Sequence, residues 1–398
     1  MIPIQVRIPG REITHARGIA ITRKGFRPLF LLAATYAFAI VPLWLLVLTA
    51  HTVVPSSFAP VNWHGHEMVF GYTAAVIAGF LLTAVARWTS RETAVGAWLA
   101  TLCVLWLLGR VAMWLPWPAW VVALADMAFL PAVAVAVGPA IVLSNNRRNY
   151  GVLALLVLLA LANTLTHLDA LGIAPGWGRR GLLLGVDLVV LMMLVITGRV
   201  VPMFTRNATG VEAIRTLPAL EVSTMVVAVL STFTNLAFGA SLATAVFSGA
   251  AGVLVLARTR HWGSIASLRH PMLWILHAGH CWIAIGFLLR GASSLLPALG
   301  SSATHAFTAG AIGSLTIGMM SRVALGHTGR PIEASQLTRL AFFAITIAGV
   351  LRVCGPLQPN RYLALLTAAG TFWSLAFALF VFEYASILVR PRFDGAPD

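Results

Sequence analysis

Residues 63–85 read Trp63-His-Gly-His-Glu-Met-Val-Phe-Gly-Tyr-Thr-Ala-Ala-Val-Ile-Ala-Gly-Phe-Leu-Leu-Thr-Ala-Val85, with two histidines and a glutamate at the start of a long apolar run. A helix of roughly 20 apolar residues is long enough to cross a bilayer. The stretch therefore predicts a transmembrane helix that carries ionisable groups near one end. Such groups are costly in lipid, so they usually face the interior of a helix bundle and act on ions, protons or cofactors.

The apolar pattern recurs along the whole chain. Of its 398 residues, 59% are hydrophobic and 10% are charged, which is typical of a polytopic membrane protein. We predict an all-α fold with a single transmembrane domain at 28–390, a basic segment at 1–27 and a short tail at 391–398. The twelve predicted spans are 28–50, 66–86, 96–116, 118–143, 151–171, 181–203, 218–238, 240–257, 271–290, 304–322, 338–355 and 362–389.

Loop charge indicates how the helices are oriented. The net charge is +15, but the basic residues are spread over short loops and form no single stripe. Nucleic acid is therefore not an expected partner, and the lipid bilayer is. Arginines precede the first span and follow the even-numbered spans, whereas the other loops are poor in charge, apart from Arg179-Arg180. By the positive-inside rule, both termini are expected to be cytoplasmic.

A weak internal repeat relates three of the spans. The second and tenth open alike, with His66-x4-Gly71 and His305-x4-Gly310. The second, sixth and tenth spans also end alike, in the arginine-containing segments 86–91, 198–206 and 321–330. This pattern predicts three four-helix repeats around a pseudo-threefold axis, because internal repeats are common in membrane folds.

His64 and His66 are candidate metal ligands. In a regular helix, residues two apart point about 200° from one another. The pair could therefore bind one metal only if the helix begins between them, which Gly65 allows. Otherwise each histidine faces a different centre, or both are polar groups of a helix end. Glu67 follows directly and is a candidate proton carrier.

His277 and His280 lie well inside another span and share one helix face, since positions i and i+3 are neighbours. They could bind one metal, line one haem pocket or be ordinary buried residues. His305 is a candidate ligand at the start of the tenth span, or an interfacial polar residue. Arg199 and Arg322 could bind an anionic group such as a haem propionate, or serve only as positive-inside anchors.

Three blocks of the chain resemble the NnrS family of bacterial membrane proteins: 64–85, 198–207 and 305–331. The resemblance implies a haem- and copper-containing protein of the bacterial cytoplasmic (inner) membrane, linked to nitric oxide and nitrosative stress in denitrifying bacteria. The chain has no Cys-x-x-Cys-His motif, so any haem is expected to be non-covalent and b-type.

Two functions compete at this stage. In the first, an intramembrane haem, with or without copper, binds and reduces nitric oxide as an oxidoreductase such as a nitric oxide reductase, using an unknown electron donor. In the second, the same histidines serve a membrane transporter or handler of haem or metal ions, which is expected to have broken helices. The candidate ligands for either function are His64, His66, His277, His280 and His305.

Overall fold

The structure is a computed structural model that describes residues 19–54 and 56–396. Within these residues the chain forms twelve long helices and no strand. The helices are α1 (Phe26–Leu48), α2 (Pro60–Thr89), α3 (Gly96–Ala112), α4 (Ala119–Leu143), α5 (Tyr150–Ala170), α6 (Trp177–Thr209), α7 (Pro218–Phe238), α8 (Leu242–Thr259), α9 (Pro271–Ser293), α10 (Leu299–His327), α11 (Gln336–Cys354) and α12 (Tyr362–Val389).

The helices confirm the predicted all-α membrane fold. Eleven are long and apolar enough to cross a membrane. The twelfth, α3, is apolar but has only 17 residues. The three central spans are longer than predicted: α6 and α10 extend four to six residues further at each end, and α2 begins at Pro60 and not at His66. Proline favours the first turn of a helix because its fixed φ suits the helix and its missing N–H is not needed there. Of the predicted terminal segment 1–27, residues 1–18 lie outside the described part.

Three helices form the centre of the bundle. In α2, α6 and α10, 83%, 78% and 72% of the most apolar window is buried, against at most 61% in the other candidate spans. These helices are four apart in the chain, as the predicted pseudo-threefold repeat requires. The Tyr72 hydroxyl of α2 lies 2.6 Å from the Thr316 hydroxyl of α10. The other helices pack around this centre.

The outer ring closes between the two ends of the chain, where α1 packs along α12. Arg27, in the first turn of α1, is buried. Its guanidinium donates to the backbone oxygens of Leu388 and Arg390 at 3.0 and 2.6 Å. The C-terminal segment is also held, because Arg392 donates to the backbone oxygen of His327 at 3.1 Å.

Two of the central helices share a local irregularity. A seven-residue π-helical segment follows His66 directly in α2 (Glu67–Thr73), and another follows His305 directly in α10 (Ala306–Ile312). A π segment has wider turns, and it changes the direction in which the residues before it point relative to those after it. The two helices are thus structurally equivalent at the positions that the sequence repeat had paired. Such segments are frequent at functional sites.

Candidate functional site

His64 and His66 face different parts of the bundle. Because α2 begins at Pro60, both residues lie inside one continuous helix. Their side chains therefore point in nearly opposite directions. His64 lines a cavity beside α10, whereas His66 is buried against α4 and α5. The arrangement in which both histidines hold one metal is not the one observed.

The cavity beside His64 has a volume of about 400 Å³ and lies at one end of the bundle. It is bordered by the first turns of α2, α6, α10 and α12 and by the last turns of α1 and α11. Two histidines, three large aromatic residues and two arginines are among its lining residues. They are His64, His305, Trp44, Tyr362, Trp373, Arg179 and Arg352. We call this the His64–His305 cavity.

Each histidine of this cavity has one ring nitrogen suited to bind a ligand. In His64 this nitrogen has no hydrogen-bond partner, and in His305 it carries no proton. The His64 ring stacks on Trp44, with ring centroids 4.5 Å apart, and its buried Nδ1 has no hydrogen-bond partner. His305 Nδ1 lies 2.7 Å from the backbone oxygen of Ser301. A carbonyl oxygen only accepts, so Nδ1 is the donor and the neutral ring keeps its lone pair on Nε2. That nitrogen is the one available to a metal.

Two arginines add positive charge to the cavity. Arg352 Nη1 is buried and has no hydrogen-bond partner. An unsatisfied guanidinium N–H at a cavity wall is suited to an anionic group, because a planar guanidinium matches a carboxylate. Arg179 is part of the arginine pair that departed from the loop-charge pattern, and its position on the cavity wall gives that departure a physical reason.

The structure does not bring the predicted propionate ligands to the His64–His305 cavity. Arg199 lines a separate cavity of about 430 Å³ near the last turns of α6 and donates to the Asn149 side chain at 2.6 Å. Arg322 lies over the Phe204 ring, 4.1 Å from its centroid, and donates to the backbone oxygen of Met272 at 3.3 Å.

His66 belongs to a buried polar cluster between α2, α3, α4 and α5. Its Nδ1 lies 2.9 Å from Glu67 Oε1 and its Nε2 lies 3.2 Å from Asp126 Oδ2. His167 Nε2 approaches the same Asp126 oxygen at 2.9 Å. We call the whole set the His66 cluster: His66, Glu67, Arg110, Asp126, Asn163 and His167.

Arg110 bridges the two carboxylates of this cluster. Its two terminal nitrogens donate to Glu67 and Asp126. Gly71 allows this approach, since a Cβ atom at that position would lie 2.8 Å from Arg110 Nη1. The second oxygen of Glu67 accepts a hydrogen bond from the Tyr36 hydroxyl. Glu67 is therefore held by His66, Arg110 and Tyr36 and does not line the His64–His305 cavity. Its role as a proton carrier stays a prediction.

His277 and His280 bond to hydroxyl groups rather than to each other. His277 contacts the Thr205 hydroxyl at 2.9 Å and the Ser264 hydroxyl at 3.0 Å. His280 Nδ1 contacts the Thr197 hydroxyl at 3.1 Å, and its Nε2 is buried without a partner under Trp262. In the described part of the chain, neither residue belongs to a group of three converging metal ligands. Their ligand role stays a prediction.

A second buried ion pair joins α6 to α9. Arg290 donates to Asp187, and both side chains are buried. The Arg290 guanidinium also lies over the Phe307 ring, 4.7 Å from its centroid. Asn235 supports the carboxylate from α7 at 3.4 Å. Asp187 lies within the apolar part of α6, so the ion pair is inside the membrane-spanning region of the bundle.

Comparison with known proteins agrees with the sequence resemblance. The profile of the family described as NnrS protein matches residues 20–392, nearly the whole chain. The chain belongs to the NnrS family. No curated protein matches its sequence significantly.

The fold of this NnrS-family chain is similar to that of a solved membrane protein. The cryo-EM structure of a heme-copper terminal oxidase dimer superposes with a TM-score of 0.63 at 11% sequence identity, covering 94% of this chain and 86% of that chain. At such identity the likeness concerns the fold alone. It agrees with the predicted all-α membrane fold.

The sequence did not predict that Asp126 and His167 converge on His66, nor that Arg352 lines the His64–His305 cavity. Arg352, Asp126 and His167 come from helices far from 63–85 in the chain. A signal was present for two of them, since Asp126 is an acid inside an apolar span and His167 follows Asn163 by one helical turn. Polar residues in such places usually face a partner inside the bundle.

Proposed function

We propose that this protein holds a non-covalent haem in the His64–His305 cavity and uses it to bind and reduce nitric oxide. The observation that carries the proposal is the convergence of two histidines, from equivalent central helices, on one cavity. His64 Nδ1 has no hydrogen-bond partner in the protein, and His305 Nε2 carries no proton. Imidazole is a common axial ligand of haem iron.

The lining residues fit a haem. The volume of about 400 Å³ falls within the range of cofactor pockets. Trp44, Tyr362 and Trp373 provide flat apolar surfaces for a macrocycle. Arg352, with its unpartnered Nη1, and Arg179 would pair with the two propionates. The absence of a Cys-x-x-Cys-His motif favours a haem of b-type.

The chain's own residues would position the group and tune it. Ser301 fixes the tautomer and the orientation of the His305 ring, and Trp44 fixes the plane of His64. The positive charge of Arg352 and Arg179 on the cavity wall would favour the reduced form of a bound haem, because positive charge stabilises an added electron. A bound haem would supply an iron that accepts electrons and binds nitric oxide.

The cellular setting completes the proposal. We propose that the protein lies in a bacterial cytoplasmic membrane with both termini in the cytoplasm, and that it protects against nitrosative stress during denitrification. An unidentified electron donor supplies the reducing equivalents. The NnrS resemblance also favours copper as a second metal, which would need ligands outside the His64–His305 cavity if both histidines of that cavity held the haem.

The first test is the haem content of purified variants. His64→Ala and His305→Ala are each expected to lose most of the Soret absorbance per polypeptide, because each removes an axial ligand. His51→Ala, at an exposed loop histidine, is the control and should keep wild-type haem content. Size-exclusion profiles in detergent report whether each variant is folded. Wild-type Soret absorbance in both folded variants would overturn the haem assignment.

Nitric oxide addresses the second half of the proposal. Nitric oxide should shift the Soret band of the reduced wild-type protein, because a bound haem would supply an iron that binds it. Anaerobic addition to wild-type protein in the presence of excess chemical reductant should consume nitric oxide and form nitrous oxide, since two NO, two electrons and two protons give one N2O and one water. A tightly bound haem without consumption would refute reduction. Release of haem or metal across proteoliposomes would favour the transporter alternative.

A further inference from the structure

We propose that His66, Asp126 and His167 bind one divalent first-row transition-metal ion, at a site separate from the His64–His305 cavity. The three residues come from α2, α4 and α5, and all are buried. The site does not depend on the proposed haem, because it shares no residue with that cavity.

The distances suit three ligands of one ion. One atom of each residue lies within 4.8 Å of the other two. Asp126 Oδ2 is 3.2 Å from His66 Nε2 and 2.9 Å from His167 Nε2. Nitrogen and oxygen ligands bound at about 2.0–2.2 Å stand roughly 2.9–3.4 Å apart when they are neighbours around one metal. Two of the three ligand pairs therefore already have the spacing of neighbours around one ion.

The hydrogen-bond pattern around His66 calls for a cation. Its Nδ1 faces Glu67 Oε1, and its Nε2 faces Asp126 Oδ2 and Asn163 Oδ1, the latter at 2.9 Å. The Asn163 amide nitrogen donates to Asp126 at 2.7 Å, which keeps the amide oxygen towards His66. All these neighbours are acceptors, whereas a neutral imidazole has only one N–H. A metal ion at Nε2 removes the mismatch.

Charge balance points the same way. Glu67 and Asp126 carry two negative charges and Arg110 carries one positive charge, while the neutral histidines carry none. The buried cluster therefore has a net charge of −1. A buried unbalanced charge is costly. A cation is therefore expected here: a divalent metal ion would bring the net charge to +1, and a proton on His66 would bring it to zero.

The surrounding residues orient the ligands. Glu67 accepts from His66 Nδ1–H and so directs the Nε2 lone pair towards Asp126, as carboxylates do for many metal-bound histidines. Arg110 holds the other oxygen of Asp126. Two imidazoles and one carboxylate suit zinc, iron or copper better than calcium or magnesium, which prefer oxygen ligands.

The test measures metal independently of haem. Purified wild-type protein should contain about one equivalent of transition metal beyond the haem iron, by elemental analysis. After chelator treatment, Co²⁺ should give visible ligand-field absorption and Zn²⁺ should displace it. His167→Gln keeps a polar side chain beside Asp126 but is a weak ligand, so Zn²⁺ binding is expected to weaken at least about tenfold. His167→Cys should restore binding, and His51→Ala is the matched control.

The outcomes are distinct from those of the haem test. His167→Gln should keep wild-type Soret absorbance per polypeptide, whereas His64→Ala should lose it and keep the second metal. Wild-type protein that holds no metal beyond haem iron and binds no Co²⁺ would overturn the site and assign the cluster to a protonated His66. Equal Zn²⁺ affinity in wild type and His167→Gln would also overturn it.

Discussion

Arg110→Met is expected to lower the free energy of unfolding by about 3–5 kcal/mol, because it removes one partner from a buried ion-pair network. Arg110 is the only arginine of the His66 cluster, and it contacts both carboxylates. Without it, Glu67 and Asp126 remain buried with two negative charges at short range. The protein can relieve this by taking up protons, by binding a cation in the His66 cluster or by admitting water between α2, α3 and α4, so the comparison is made on chelator-treated protein.

The measurement is the thermal unfolding of purified protein in detergent, followed by intrinsic tryptophan fluorescence. Arg269→Met removes an exposed loop arginine and is the matched control. Adding Glu67→Gln to Arg110→Met should recover part of the loss, since it removes one of the two unpaired charges. Equal transition temperatures for Arg110→Met and Arg269→Met would contradict the structural role given to Arg110.

Asp187→Ala is expected to produce a loss of similar size, about 3–5 kcal/mol, by leaving Arg290 buried without its carboxylate. The double variant Asp187→Leu with Arg290→Met should behave differently. Replacement of a buried ion pair by apolar residues of similar volume is often neutral or stabilising. Arg290 already packs on Phe307, so a methionine stem would find an apolar environment.

The measurement compares the unfolding temperatures of the single and the double variant. We expect the single variant to unfold well below the wild type and the double variant to return close to it, in the same detergent and by the same signal. Glu333→Ala, at an exposed acid, controls for the loss of a carboxylate. A double variant that is no more stable than Asp187→Ala would contradict this prediction. It would show that the ion pair stabilises the fold by more than the neutralisation of its two charges.

The helices could be predicted from the sequence because lipid restricts the choice of structure. An apolar run such as 69–85 has to satisfy its backbone groups internally, so a helix follows from composition and length alone. The repeat of the second, sixth and tenth spans could also be predicted, because these spans end in similar segments. The same three spans are the central helices of the structure. The start of α2 was less predictable, because Pro60–Trp63 is not an apolar stretch.

The candidate sites could be predicted only in part. The sequence identified His64 and His305, but it related His305 to His66, since the spacing to Gly71 and Gly310 is the same. The direction in which each histidine ring points depends on where α2 begins and on the π segments. Neither feature can be predicted from sequence as reliably as an apolar helix can. Arg352 and His167 reach their sites through the packing of distant helices, which one sequence does not reveal.

The shortness of α3 has a consequence for the lipid around the protein. Its 17 residues rise about 25 Å, whereas the hydrocarbon core of a bilayer is about 30 Å thick. A short apolar helix is accommodated when the adjacent bilayer thins. We therefore expect the lipid annulus to be asymmetric, with its thinnest part beside α3. Arg110 lies two residues before the end of this helix, so the thinned region would bring the headgroup layer towards the buried carboxylates.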